Sequence, residues 1–254
     1  MRAIILAAGR GSRLQQIAGR EAPKCLLSFG GRTLLERHLA ILRDAGVDEV
    51  VLVVGYEPAP IIDELHRLGR RDVEIVTNDR YTLGSVLSVH TAADALTRGG
   101  DVLVMDADVL HDPRILRVLV AGEHADRLLI DRDFEVGDEP VKVCVAAGMP
   151  VEFRKKIAAG LTYDTIGESV GFFRFRAATA RRFAAIVARY VADGRADQPH
   201  EEAIRDLLLE GVDGLDVADV TGLPWIEIDF PDDVIRAADE VLPQIEGQPA
   251  SARR

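Results

Sequence analysis

Two rhythms of apolar residues divide the chain. In the first, Ala3–Ala7 forms a short apolar strand, and Leu34, Leu35, His38, Leu39 and Leu42 then recur at helical spacing before Gly46. The Val/Leu run over Glu49–Val54 has the continuous apolar character of a strand covered on both faces. Ile61 to Leu68 predicts a short helix, Val73–Thr77 a third strand, Ser85–Leu96 a helix and Val102–Met105 a fourth strand. This alternation predicts a mostly parallel sheet with right-handed crossovers, an α/β doubly wound fold flanked by helices. In such sheets ligands sit at the carboxyl ends of the strands, where the segment after Ala7, Thr77–Ser88 and Asp106–Asp108 all fall.

Past about Leu128 the second rhythm begins. Leu128–Ile130, Val141–Val145, Val151–Arg154 and Ser169–Phe175 are short strands between polar turns, which predicts antiparallel additions to the sheet. Helices return at Ala177–Ala192 and His200–Leu209, followed by strands at Leu215–Val220 and Trp225–Ile228 and a closing helix over Asp232–Ile245. With no repeat or linker, the expectation is one domain over 1–246 and a flexible tail over 247–254.

Composition narrows the function. A net charge of −11 provides no basic surplus to neutralise nucleic acid or an anionic membrane. The apolar start MRAIILAAG is too short for a signal peptide, and no run approaches the roughly 18 apolar residues of a membrane helix, so a cytoplasmic enzyme is expected. Cys25 and Cys144 are too few for a disulfide framework, and the six histidines have no metal-ligand spacing.

The segment Leu6-Ala7-Ala8-Gly9-Arg10-Gly11-Ser12-Arg13-Leu14 lets backbone N–H groups approach a polyphosphate, because Gly9 and Gly11 carry no Cβ. Arg13, and Lys24 of Pro23-Lys24-Cys25-Leu26-Leu27, add two cations to the same phosphate chain. The segment ends without the Gly-Lys-Ser/Thr of a Walker A loop, and Leu14 stands where a dinucleotide fingerprint needs a third Gly. Asp106 and Asp108 leave a strand end beside this loop, where Mg²⁺ would take one or two carboxylates plus phosphate oxygens; alternatively they cap the helix after Pro113. Glu227 and Asp229 face the same side of a late strand, while Asp232 and Asp233 suit the start of the final helix. Ser85 suits a helix N-cap.

The combination L-A-A-G-x-G-x-R-L with P-K-x-L resembles the opening signature of nucleotidyltransferases that join a nucleoside triphosphate to a phosphorylated sugar or alcohol. The resemblance covers essentially the whole chain and implies the Rossmann-like fold of the nucleotide-diphospho-sugar transferases. It assigns Asp108 and Asp229 to the metal with Glu227 beside them, Lys24 and Arg13 to catalysis, and Leu6 through Gly9, Gly11, Ser12 and Asp106 to the nucleotide. Ser85-Val86-Leu87-Ser88-Val89 resembles cytidylyltransferases acting on phosphocholine and related alcohol phosphates, placing Ser85 and Ser88 at the base and lacking the Gln and Gly-Thr of sugar-type enzymes. The D-E-P-V-K-V and I-G-E-S-V-G-F-F stretches resemble the acceptor side of the same enzymes. They make Lys142 and Lys155 candidates for the acceptor phosphate, and Glu168 with Tyr163 candidates for a cationic head group.

The expected activity is therefore Mg²⁺-dependent transfer of CMP from CTP to a small phosphorylated or phosphonate acceptor, with pyrophosphate released. The alternatives are a sugar-1-phosphate or polyol-phosphate enzyme using UTP, GTP or ATP, and a nucleotide-binding regulatory subunit without turnover. A monomer or homodimer is expected, with no nucleic-acid partner.

Overall fold

The computed structural model describes residues 1–14, 22–47, 49–122, 125–135 and 137–247. Residues 248–254 of the expected tail lie outside them. Strand β1 (Arg2–Ala7) runs through the middle of a sheet of nine strands among the described residues. A 3₁₀ turn at Lys24–Leu26, the small hairpin of β2 (Ser28–Phe29) and β3 (Arg32–Thr33), and helix α1 (Leu34–Asp44) follow. Thr33 caps α1, its Oγ1 accepting from the Glu36 N–H at 3.0 Å, and Gly46 at φ +76° ends the helix in the left-handed region. Strand β4 (Glu49–Val54), α2 (Pro58–Arg67), β5 (Glu74–Thr77), α3 (Val86–Thr91), α4 (Ala93–Thr97) and β6 (Val102–Asp106) complete the alternating half. Strands β4 and β6 flank β1 on opposite sides and run parallel to it, so the connections diverge at the end of β1 and open a crevice there.

The second half is built differently. It comprises β7 (Val109–His111), α5 (Pro113–Val120), β8 (Arg127–Asp131), the hairpin β9 (Lys142–Ala146) and β10 (Met149–Arg154), and the long β11 (Thr165–Phe175). Strand β11 is antiparallel to β6, β8 and β9, as the second rhythm predicts, and it slips register between Ser169 and Phe173 around Gly171 at φ +78°. Helices α6 (Ala177–Ala192) and α7 (His200–Leu209) lead to β12 (Asp216–Asp219), parallel to β8, and to β13 (Trp225–Glu227), antiparallel to β7. The chain closes with α8 (Pro231–Arg236), a π-helical turn over Ala237–Val241, and α9 (Leu242–Glu246).

Period-two alternation divides the core between the two faces of the sheet. Phe173 and Phe175 pack with Val86, Val89 and Phe183 on one face, while Phe172 packs with Ile5, Leu35 and Leu39 on the other. Each of these phenylalanines is essentially solvent-free, a burial worth roughly 1.5–3 kcal/mol apiece. None of the described helices is long and apolar enough to cross a membrane.

Two expected helices are interrupted. The span Ser85–Leu96 is two helices meeting at Ala92, because Thr91 Oγ1 donates to the Leu87 carbonyl at 2.7 Å, a back-bond that bends helices. The closing helix carries the π turn just before Pro243, which has no N–H to continue the α ladder. The helix after Pro113 is capped by Asp112, whose Oδ1 accepts from the Arg114 N–H at 2.7 Å, so neither Asp106 nor Asp108 is spent as its cap.

Candidate active site

A cleft of ≈ 220 Å³ opens at the carboxyl ends of β1 and β6. Leu6, Ala7, Gly9, Gly11, Ser12 and Arg13 form one wall, with Lys24, Cys25, Ala107, Asp108 and Asp229 around them. Gly11 is required twice over: its φ is +61°, and a Cβ there would meet the Lys24 stem at 3.0 Å. Ala8 is buried, and its carbonyl accepts from the Tyr56 N–H at 3.1 Å, so it supports the loop from below. The Cys25 thiol is buried, and burial together with the nearby Asp108 pushes its pKa up to about 12, which leaves it inert.

Charge is concentrated opposite the loop. Strand β13 pairs with β7 so that Glu227 lies across from Val109, and the Ile228 N–H donates to the Asp108 carbonyl at 2.9 Å. Asp233 Oδ2 accepts from the N–H groups of Asp229 and Phe230 at 2.9 and 2.7 Å, which fixes the turn that presents Asp229. As a result Asp108, Glu227 and Asp229 offer carboxylate oxygens that all lie within 4.8 Å of one another. Lys24 Nζ donates to Asp108 Oδ2 at 2.8 Å and to Asp229 Oδ1 at 2.6 Å. Burial alone would lower the pKa of this ammonium, but the two carboxylates outweigh it and hold the group above the ordinary lysine value. Burial would likewise raise Asp229, yet Lys24 and then Arg13 bring it below its ordinary value. Arg13 Nη1 stands 3.2 Å from Asp229 and 3.4 Å from Glu139, with its guanidinium 5.2 Å from the Phe230 ring centroid.

The base-side assignments are displaced. Ser85 makes no cap bond; its Oγ accepts from the His200 N–H at 2.8 Å and lies 3.0 Å from His200 Nδ1. Ser88 is buried and accepts from Asn78 Nδ2 at 3.1 Å. Neither serine is among the residues that line the cleft, and each hydroxyl oxygen accepts a hydrogen bond inside the fold. Asp106 faces a separate cavity of ≈ 40 Å³ with Lys155, His200, Glu201 and Glu227. Burial, then Asp108 and Glu201, hold the Asp106 carboxyl above its ordinary range. A Cβ on Gly171 would come within 2.5 Å of Asp106 Oδ2, so the bulge in β11 makes room for that carboxyl.

An acidic basin of ≈ 580 Å³ adjoins the cleft and shares Asp229 with it. Asp131, Asp133, Glu135, Glu168 and Glu227 line it together with the rings of Phe134, Trp225 and Phe230. Asp131 and Glu168 are directly opposite across β8 and β11, an arrangement of like charges that a sheet tolerates poorly. Trp225 Nε1 donates to Asp131 Oδ2 at 2.8 Å, and burial followed by the charge of Asp131 pushes Glu168 up to about 7. Lys142 relieves this pair only in part, through its charge. It lies opposite Glu168 in β9, but its buried Nζ donates to the carbonyls of Gly137, Pro140 and Lys155 at 2.6, 3.2 and 2.6 Å. Its assignment to an acceptor phosphate is therefore corrected: Lys142 braces the 137–155 loops. Lys155 points its ammonium at Glu139, 3.2 Å away, and Tyr163 is exposed and lines neither the cleft nor the basin. Asp131, Glu139 and His200 join these clusters through partners distant in sequence, which no local motif marks.

Comparison with known proteins decides the family. The MobA-like NTP transferase domain matches residues 3–168, about two thirds of the chain and all of the loop, Lys24 and Asp108. The chain belongs to this family. As a MobA-like NTP transferase it is 29% identical over 253 residues to the CMP-5'-(3-aminopropyl)phosphonate synthase of Streptomyces rubellomurinus, covering 98% of this chain and 40% of that protein. It is 27% identical over 212 residues to the 2-aminoethylphosphonate cytidylyltransferase of Lancefieldella rimae, covering 80% and 77%. The chain spans about half or less of the length of several curated relatives that it matches. Among solved structures, the inositol-1-phosphate CTP transferase from T. maritima superposes with a TM-score of 0.77 over 98% of this chain and 97% of that one. At 22% identity this likeness is one of fold: a mostly parallel mixed sheet flanked by helices, with antiparallel strands.

Proposed function

We propose that the chain transfers CMP from CTP to a small phosphate or phosphonate bearing a protonated amine. The observation that carries this reading is the junction at Asp229. There a glycine loop with two cations, the arrangement a triphosphate requires, meets an acidic, aromatic-lined basin, the arrangement an ammonium requires. The names of the two aminophosphonate relatives support the acceptor class and the cytidine donor.

The chemistry asks little beyond alignment and charge neutralisation. An acceptor phosphonate or phosphate oxygen is already ionised, so its attack on the α-phosphorus needs no strong general base, and pyrophosphate leaves in line. Lys24, reaching across the loop, stabilises charge at the α-phosphate, and Arg13 restrains the departing pyrophosphate. Asp108 and Asp229, with Glu227 beside them, suit Mg²⁺: three carboxylates lie within reach of one point, in line with a hard cation's preference for oxygen. Bound there, the ion would neutralise the reacting phosphates.

Incubating the protein with each of the four triphosphates across a panel of aminoalkyl phosphonates, phosphocholine, inositol phosphate and sugar-1-phosphates, and scoring pyrophosphate release, tests the proposal. CTP with an aminoalkyl phosphonate or phosphate is expected to dominate. Preference for UTP or a purine triphosphate with a sugar-1-phosphate would overturn it.

A further inference from the structure

We infer that Lys24 is the resident cation of the carboxylate cluster: in the free protein its ammonium holds the position that the divalent ion takes, and it must swing away for the site to load. This rests on the metal reading above and adds to it a second station for the lysine.

The geometry makes the two occupants exclusive. Lys24 Nζ lies 2.8 Å from Asp108 and 2.6 Å from Asp229, two of the three carboxylates whose oxygens converge within 4.8 Å. A magnesium ion held by Asp108 and Asp229 would share these carboxylates with the ammonium, and the two cations would repel each other. All three side chains are largely shielded, at 17% exposure for Lys24, 21% for Asp108 and 25% for Asp229, so water screens that repulsion poorly. Nor is an empty cluster attractive, because removing the lysine would leave Asp108, Glu227 and Asp229 close together with only Arg13, 3.2 Å from Asp229, at its edge among the described ion pairs.

The lysine has a short path out. Its stem runs along Gly11, where the missing Cβ leaves the glycine loop open to it, and the loop is where a triphosphate would lie. Arg13 is held in the same manner, shared between Asp229 and Glu139. A triphosphate therefore offers both cations a new partner at the moment its metal needs the carboxylates. Metal and donor load as one unit, and the metal alone binds weakly because nothing takes up the displaced ammonium.

Titrating Mn²⁺ against the parent, Lys24→Met and Lys24→Gln without nucleotide, with free Mn²⁺ read by electron paramagnetic resonance, tests this. The variants should bind Mn²⁺ more tightly than the parent, on the order of 10- to 10³-fold, the range over which one adjacent charge shifts an ionic equilibrium. A non-hydrolysable CTP analogue should close the gap by raising the parent's affinity. Lys24→Gln keeps a hydrogen-bond donor for the acids and serves if the methionine variant does not fold. Both variants should also melt lower than the parent without Mn²⁺ and regain the difference with it. Equal or weaker Mn²⁺ binding by the variants overturns the place-holder while leaving the metal site standing. Absence of Mn²⁺ binding in every form, analogue included, overturns the metal site itself.

Discussion

The glycine-loop cleft and the acidic basin share Asp229 but manage charge differently. In the cleft every acid has a cation: Lys24 serves Asp108 and Asp229, and Arg13 reinforces Asp229. In the basin acids outnumber cations: Arg236 pairs with Glu135 at 3.4 Å and Lys155 with Glu139 at 3.2 Å, while Asp131 and Glu168 face each other across β8 and β11. The nearest candidate to neutralise Glu168, Lys142, is committed to three carbonyls. A site that balances its own charges can exchange partners when an anionic substrate arrives. A site left unbalanced depends on the substrate to bring the missing charge. On the proposed reading the cleft serves nucleotidyl transfer in general and the basin sets the choice of acceptor.

The largest expected effect comes from removing the cation the cleft depends on. Lys24→Ala should lower turnover on the order of 10²- to 10³-fold in a protein that still folds, though less stably, since on the proposed reading it deletes a transition-state donor. Steady-state rates beside a circular dichroism spectrum check this, and a folded variant turning over like the parent would remove the lysine from the chemistry. Asp108→Asn and Asp229→Asn should each raise the Mg²⁺ concentration for half-maximal activity by about ten-fold or more, each having lost one hard anionic ligand. Asp106→Asn should shift it less, because Asp106 faces the cavity beside His200 and Glu201. A common Mg²⁺ dependence in all three variants and the parent would break the distinction.

The basin makes a pH prediction. With Glu168 poised at about 7, kcat/KM for an amine-bearing acceptor should rise as the carboxyl ionises through neutrality, while KM for CTP stays flat. Glu168→Gln should lose that rise and raise the acceptor KM about ten-fold, the scale of one charge-assisted contact. An unchanged pH profile in the variant would place the acceptor elsewhere.

Much of the fold was legible in the chain because the alternating half announces itself through period-two and 3.6-residue patterns ending in Gly46 and Asp108. Lys24, Asp108 and Asp229 were legible as candidates because each belongs to a short motif at a strand end, and the fold brings them together. What misled was local chemistry answered from a distance. The serines of α3 read as a cap and base contacts, but their partners are His200, 115 residues away in the case of Ser85, and Asn78 in the case of Ser88. Lys142 read as a phosphate ligand because nothing in a sequence marks three carbonyls folding over an ammonium. Local sequence marks Asp131 only as part of an acidic turn, because its meeting with Glu168 depends on the register of β8 against β11.

A smaller effect concerns stability on the apolar side of the sheet. His38 and His111 lie 5.2 Å apart beneath Phe172; burial and then the neighbouring ring hold His38 down to about 3, and burial holds His111 down to about 4. Both stay neutral in the fold but charge in the unfolded chain below its ordinary value of 6.5, so stability should fall as pH drops through that range. The expected loss is about 1.4 kcal/mol per pH unit for each ring. Urea melts between pH 8 and 5 on the parent and His38→Leu check it, and the variant should show the shallower slope. Smallest of all, Ser88→Ala should leave the choice among triphosphates within about two-fold, since its hydroxyl spends its bond on Asn78.

The contrast between cleft and basin meets its most direct test in one comparison of acceptors with CTP held saturating. The parent's kcat/KM for 2-aminoethylphosphonate should exceed that for its N-acetylated form by about 100-fold, the worth of a desolvated charge met by two carboxylates. Asp131→Asn combined with Glu168→Gln should abolish the preference while leaving KM for CTP unchanged. Equal use of the charged and neutral acceptors by the parent, or a preference that survives the double substitution, would contradict the account.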